Sequence, residues 1–106
     1  MSETLDRLWA IIQERRLNPR EGSYTSLLFA KGASEIAKKV GEEGIETAIA
    51  SLAEDDGRVL AEAADLIYHL MVLLASRNLH WDQVEQELAS RFPWAACNES
   101  KLTGKS

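Results

Sequence analysis

At 106 residues the chain has room for one domain with one modest core, and its 45% hydrophobic and 27% charged content excludes a disordered chain. Lys and Arg number 12 against 17 Asp and Glu, and the net charge of −5 argues against bulk electrostatic binding of nucleic acid while leaving room for a small phosphorylated ligand held by local basic groups. The single cysteine, Cys97, permits neither an intramolecular disulfide nor a cysteine-built zinc site, which fits a reducing cytoplasm.

The N-terminal stretch MSETLDRLWAIIQERR carries Glu3, Asp6 and Glu14 and lacks the apolar core of a signal peptide. The longest uninterrupted apolar run, residues 70–75, falls far short of the roughly 20 residues that span a bilayer. Neither secretion nor membrane insertion is expected. Helix formers dominate, β-branched runs are absent, and Pro19 and Pro93 stand where helices would end, so the reading is all-α.

The first helix is predicted over residues 4–16, with Leu5, Leu8, Trp9 and Ile12 at the three and four spacing of one buried face. NPREGSYT breaks it as a loop. A short helix over residues 26–30 stops at Gly32, and Ser34 is the expected cap of a long helix reaching residue 54. A turn of Asp55, Asp56 and Gly57 leads into a second long helix over residues 58–77, which Asn78 can close. In LHWDQVEQEL, Asp82 and Glu85 have capping-box spacing, predicting a last helix over residues 82–92. A polar tail, expected to be mobile, follows over residues 94–106.

Two acidic pairs stand out. On the second long helix Arg58, Glu62, Asp65, His69 and Ser76 share one narrow stripe, while Leu60, Leu66, Ile67, Leu70, Met71, Leu73 and Leu74 cover the rest of the circumference. That pattern predicts a helix buried on most sides. Burying an unpaired carboxylate costs several kcal/mol, so Glu62 and Asp65 need a cation, a basic partner or a water-filled cleft. The preceding helix carries Lys39, Glu42, Glu43 and Glu46, and its pair Glu43 and Glu46 has the same three-residue spacing as Glu62 and Asp65. In an antiparallel hairpin the pairs are symmetric about residue 54. A turn centred on residue 55 or 56 leaves a mismatch of roughly 3 to 5 Å at about 1.5 Å per residue, which loop asymmetry absorbs.

Four hard oxygen donors suit Mg²⁺ or Mn²⁺ rather than zinc, and the chemistry implied is metal-assisted attack of water on a phosphate. Lys38 and Lys39 lie about a turn before Glu43, and Lys31 and Arg20 sit in or beside the preceding loop and short helix, placed to neutralise phosphate charge. The ordinary alternative is a solvated acidic face, the commonest fate of charges on helices. His69 reads as a hydrogen-bond partner of Asp65, His80 as a loop residue, and Trp9, Phe29, Trp81 and Phe92 as core or subunit contacts. Tyr24 is open between a loop residue and a ligand contact, Cys97 is read as incidental, and Gly41 and Gly44 suggest close approach of a helix or the substrate.

The pattern Glu42-Glu43-x-x-Glu46, then Glu62-x-x-Asp65, resembles the signature of the all-α nucleoside triphosphate pyrophosphohydrolases, the MazG-like superfamily. Within it EGSYTSLL, KGASEIAKKVGEEGIETAIA and EAADLIYHLMVLL are similar to the phosphoribosyl-ATP pyrophosphohydrolase family over residues 4–92. The resemblance implies a bundle of four main helices plus a short one, with a catalytic domain over residues 1–93 and completed by subunit association as a dimer or dimer of dimers. It implies cleavage of phosphoribosyl-ATP between the α and β phosphates in the second step of histidine biosynthesis. Carried over by position, Glu43, Glu46, Glu62 and Asp65 are the expected Mg²⁺ ligands, with Glu42 a flanking acid that helps orient water. Lys38 and Lys39 are expected to contact phosphates, and Ser23, Tyr24 and Thr25 to shape the substrate site. The tail FPWAACNESKLTGKS departs from the family pattern. Two rival readings are a housekeeping pyrophosphatase of the same fold acting on dUTP, dCTP or damaged nucleotides, and a helical interaction module without enzymatic activity.

Overall fold

Short polar caps divide the chain into five α-helices in a computed structural model that describes residues 2–92. The predicted tail and Cys97 lie outside these residues. Ser2 opens α1 (Glu3–Leu17), its side chain accepting from the Leu5 amide at 3.2 Å. Ser23 caps α2 (Tyr24–Lys31) by accepting from the Ser26 amide at 3.1 Å. The Ser26 hydroxyl in turn donates to the Arg15 carbonyl and accepts from the Arg20 amide, stitching the end of α1 to the loop. This cap starts α2 two residues earlier than the sequence suggested, so Tyr24 and Thr25 belong to a helix rather than a loop.

Gly32, at φ 94°, both ends α2 and precedes α3 (Ala33–Ala53), which has no side-chain cap. Ser34 is therefore inside the helix and does not cap it: a positive-φ glycine reverses the chain in one residue and leaves no room for a longer linker. Glu54 and Asp55 alone connect α3 to α4 (Asp56–Ser76), and the Asp55 side chain accepts from the Arg58 amide at 2.9 Å. Asp56 and Gly57 are thus in the helix, not the turn. Asn78 closes the following turn in the left-handed region at φ 59°, as its short polar side chain allows. The cap of α5 (Trp81–Arg91) is His80, not Asp82: His80 accepts from the Asp82 amide, and Gln83 reaches back to the His80 amide at 2.7 Å.

The long pair α3 and α4 forms an antiparallel hairpin, with α1 packed on α2 and α4 and with α2 wedged against α3 and α4. Trp9, Ile12, Leu28, Ile36, Met71, Val72 and Ala75 make the core, with Phe29 and Trp81 packed against it. Those on the hairpin, Ile36, Met71, Val72 and Ala75, lie in the half away from its turn. The turn half stands clear, and Ile45, Ile49, Leu52 and Leu60 are exposed on it. The expectation of a second long helix buried on most sides is accordingly corrected for Leu60 and Ile67, which a periodic pattern marks as apolar without saying what covers them. Although α4 is long and apolar enough to cross a membrane by composition, it packs against three helices and buries Glu62 and His69, as a core helix does. No strand occurs among the described residues.

Candidate active site

The acidic residues gather where the covered half of the hairpin meets the projecting half. Because the connection is only Glu54 and Asp55, its midpoint falls half a residue beyond residue 54, the point about which the two acidic pairs are symmetric. At about 1.5 Å per residue the residual offset is about 1.5 Å, smaller than the sequence suggested. One carboxylate oxygen from each of Glu43, Glu62 and Asp65 lies within 4.8 Å of the others, a group able to hold a metal ion.

Glu43 and Glu62 are only 6% and 5% exposed, whereas Asp65 is exposed at the mouth of the group. Each buried glutamate has one oxygen, Oε2, that is buried with no hydrogen-bond partner. Their other oxygens meet cations four residues upstream. Glu62 Oε1 accepts from Arg58, which also lies 3.8 Å from Glu54, and Glu43 Oε1 is 3.7 Å from Lys39 Nζ. Burial, then the neighbouring Glu46 carboxylate, holds the Glu43 carboxyl above its ordinary value. For Glu62 the adjacent Glu46 carboxyl is the main cause of a rise, followed by burial, and Arg58 opposes it. Burial alone would lower the Lys39 ammonium, but Tyr24, Glu42, Glu43 and Glu46 together raise it.

Hard oxygen donors, two of them buried and unsatisfied, are the chemistry of a divalent-cation site, since orphaned carboxylate oxygens cost several kcal/mol unless a cation or proton compensates them. Glu46 stands beside this group, exposed on the next turn of α3. Glu42 is turned outward, 4.0 Å from the exposed Lys38. Lys31 is exposed at the end of α2, and Arg20, Ser23 and Thr25 line a separate cleft of about 410 Å³ with Ile11 and Arg15. The acids, Lys39 and Tyr24 are thus near enough to feel one another's charge, and none of them lines the Arg20 cleft. His69 is a partner of Asp65 through the main-chain carbonyl, 2.7 Å from Nδ1, and its Nε2 faces Tyr24 Oη at 3.2 Å. Among the described residues nothing lies within 4 Å of a Cβ placed on Gly41 or Gly44. Arg58 and Tyr68 escaped the sequence reading as site residues. The four-residue step from Arg58 to Glu62 was the available signal, and Tyr68, which bonds Thr25, had none.

Residues 5–92 match the Phosphoribosyl-ATP pyrophosphohydrolase family. The chain belongs to that family. It is 54% identical to the phosphoribosyl-ATP pyrophosphatase of Novosphingobium aromaticivorans over 89 residues, covering 84% of this chain and 83% of that protein. It is also 48% identical to the phosphoribosyl-ATP pyrophosphatase of Metallosphaera sedula over 91 residues, covering 86% of this chain and 98% of that one. The histidine biosynthesis bifunctional protein HisIE of Caldanaerobacter subterraneus is 47% identical over 90 residues, which are 85% of this chain and 44% of that protein. All the acids of the candidate site fall inside the family match.

Proposed function

We propose that the chain hydrolyses phosphoribosyl-ATP to phosphoribosyl-AMP and pyrophosphate, with Mg²⁺ held by Glu43, Glu62 and Asp65 and by Glu46 beside them. The family supplies the activity, a hydrolase of histidine biosynthesis. The observation that carries the metal reading is the pair of buried, partnerless Oε2 atoms on Glu43 and Glu62, which a solvated acidic face would not contain. Mn²⁺ satisfies the same donors. A bound divalent ion supplies neutralisation of phosphate charge and an activated water.

The chain's own residues do the rest. Lys39, held between Tyr24 and three carboxylates, and Lys38 at the outer edge offer ammonium groups to phosphate oxygens. Glu42, half-exposed beside the buried group, orients the attacking water. Ser23 and Thr25, with Arg20 on their cleft, shape the substrate face, and Lys31, exposed at the end of α2, adds positive charge for phosphate. The exposed Ile45, Ile49, Leu52 and Leu60 on the projecting half support association of copies as a dimer or dimer of dimers, measurable by light scattering. The proposed site of action is the cytoplasm, with neither nucleic acid nor membrane as partner.

Steady-state hydrolysis tests this reading. The expected outcome is a kcat/KM for phosphoribosyl-ATP at least about a hundredfold above that for dUTP, dCTP or ATP. A preference for any of those nucleotides would overturn it in favour of a housekeeping pyrophosphatase.

A further inference from the structure

Two consecutive side chains of α2 meet two consecutive side chains of α4. Tyr24 Oη lies 3.2 Å from His69 Nε2, and Thr25 Oγ1 is hydrogen-bonded to Tyr68 Oη. The rings reinforce the contact, with Tyr24 stacked on Tyr68 at 6.3 Å and 29° and set edge-on to His69 at 5.9 Å and 77°. His69 is 5% exposed, while Tyr24 is 47% exposed and open to a ligand.

The second nitrogen of His69 decides the direction of the Tyr24 bond. His69 Nδ1 is 2.7 Å from the Asp65 carbonyl oxygen, which only accepts, so Nδ1 carries the proton. In the neutral ring Nε2 is then an acceptor, and the Tyr24 hydroxyl donates to it. The only phenolic proton is committed. What Tyr24 Oη presents outward is lone pairs, which repel phosphate oxygens and suit a donor such as a hydroxyl, an amine or the Lys39 ammonium.

We propose that His69 is a positioning residue that fixes Tyr24 as a hydrogen-bond acceptor beside the acidic group, where it meets a donor of the substrate outside its phosphates. The role rests on Tyr24 belonging to the substrate face. Because His69 is anchored to the carbonyl of Asp65, the same turn of α4 sets both a carboxylate of the candidate metal group and the tyrosine that meets the substrate. Substrate contact and metal group are thereby held in one register across α2 and α4.

Asn and Gln replacements separate the two nitrogens. In His69→Asn the amide can still donate to the Asp65 carbonyl but has no atom at the Nε2 position, while Gln reaches that position and can accept from Tyr24. Tyr24→Phe should raise KM for phosphoribosyl-ATP about fivefold to tenfold with kcat within about twofold, the loss of one hydrogen bond in ground-state binding. Its inhibition constant for pyrophosphate, which lacks the hydroxyl and amine donors of the substrate's sugar and base portions, should stay unchanged. His69→Asn should raise KM similarly in the wild-type background, add nothing in the Tyr24→Phe background, and be largely rescued by His69→Gln. Imidazole ¹⁵N spectra should show the proton of His69 on Nδ1.

Multiplying KM effects in the double variant, equal weakening of pyrophosphate, or a proton on Nε2 would each overturn the proposal. An unchanged KM in Tyr24→Phe would remove Tyr24 from the substrate face and the positioning role with it. The hydrolase reading would survive that result, since it is tested by substrate preference and by the acidic residues.

Discussion

Glu43 of α3 and Glu62 of α4 are almost equally buried in one hairpin, and what separates them is the cation each has been given. Arg58 makes direct contact with Glu62 Oε1, whereas Lys39 stands 3.7 Å from Glu43 Oε1 and also feels the charges of Tyr24, Glu42 and Glu46. The second oxygen is buried and unsatisfied in both. A cation four residues upstream on the same helix reaches one oxygen, because the helical step places it beside the carboxylate rather than across the hairpin. The remaining oxygen of each is buried with no hydrogen-bond partner among the described residues. Local ion pairs fix how the carboxylates point, and they leave one inner oxygen of each unpaired among the described residues.

The largest effect should come from taking away that inner charge. Glu62→Ala and Glu43→Ala should each lower kcat for phosphoribosyl-ATP by about a thousandfold or more, the scale of a lost electrostatic element of the transition state, with helical circular dichroism retained. Glu42→Ala, turned toward solvent and Lys38, should cost no more than about tenfold. Equal losses at positions 42, 43 and 62 would erase the difference between buried and exposed acids and leave no reason to single out the inner pair.

Smaller, and readable without turnover, is the response of stability to pH and metal. Burial and Glu46 raise the Glu43 carboxyl, and Glu46 and burial raise that of Glu62, so the folded metal-free protein binds more protons than the unfolded chain between the ordinary carboxylate value of 4.5 and the raised ones. Stability from this pair is therefore present at acid pH and is lost as pH rises through that window. Mg²⁺ requires the ionised form, so its effect runs the other way. Millimolar Mg²⁺ should raise Tm by a few degrees at pH 8 and by less at pH 5, and the Glu43→Ala, Glu62→Ala double variant should show no rise at either. A metal response identical at both pH values, or one surviving in the double variant, would place the cation elsewhere.

The carboxylates were legible in the sequence because helical spacing survives folding: acids three apart on two helices symmetric about residue 54 converge whenever the connection is short. The helix order and the core face of α1, with Trp9 and Ile12 buried, were legible for the same reason. Caps were less so, since competing polar residues cluster at helix starts. Gly32 displaced Ser34 and His80 displaced Asp82 because backbone conformation, which spacing does not encode, chose between them. The contact of Tyr68 with Thr25 joins residues 43 apart in sequence, and no local pattern announces it. Apolar positions such as Leu60 were visible, but a stripe of leucine reads alike whether this chain covers it or another surface does.

The finest distinction is between the two cations themselves. Arg58→Ala removes a positive charge and also the donor that holds Glu62 Oε1, whereas Lys39→Ala removes a charge that touches Glu43 only at ion-pair distance. If the arginine acts through geometry, freeing Glu62 should raise the Mg²⁺ concentration for half-maximal activity about threefold to tenfold, an effect that excess Mg²⁺ restores. The lysine should behave oppositely. Removing it leaves the inner oxygens more negative, so the Mg²⁺ requirement should stay level or fall, while KM for phosphoribosyl-ATP rises about tenfold through the lost phosphate contact. Titrating Mg²⁺ at saturating substrate, then substrate at saturating Mg²⁺, reads the two apart. A shared shift in Mg²⁺ dependence would mean that both residues act as charge alone, and the unequal contacts of Glu43 and Glu62 would have no consequence for the metal.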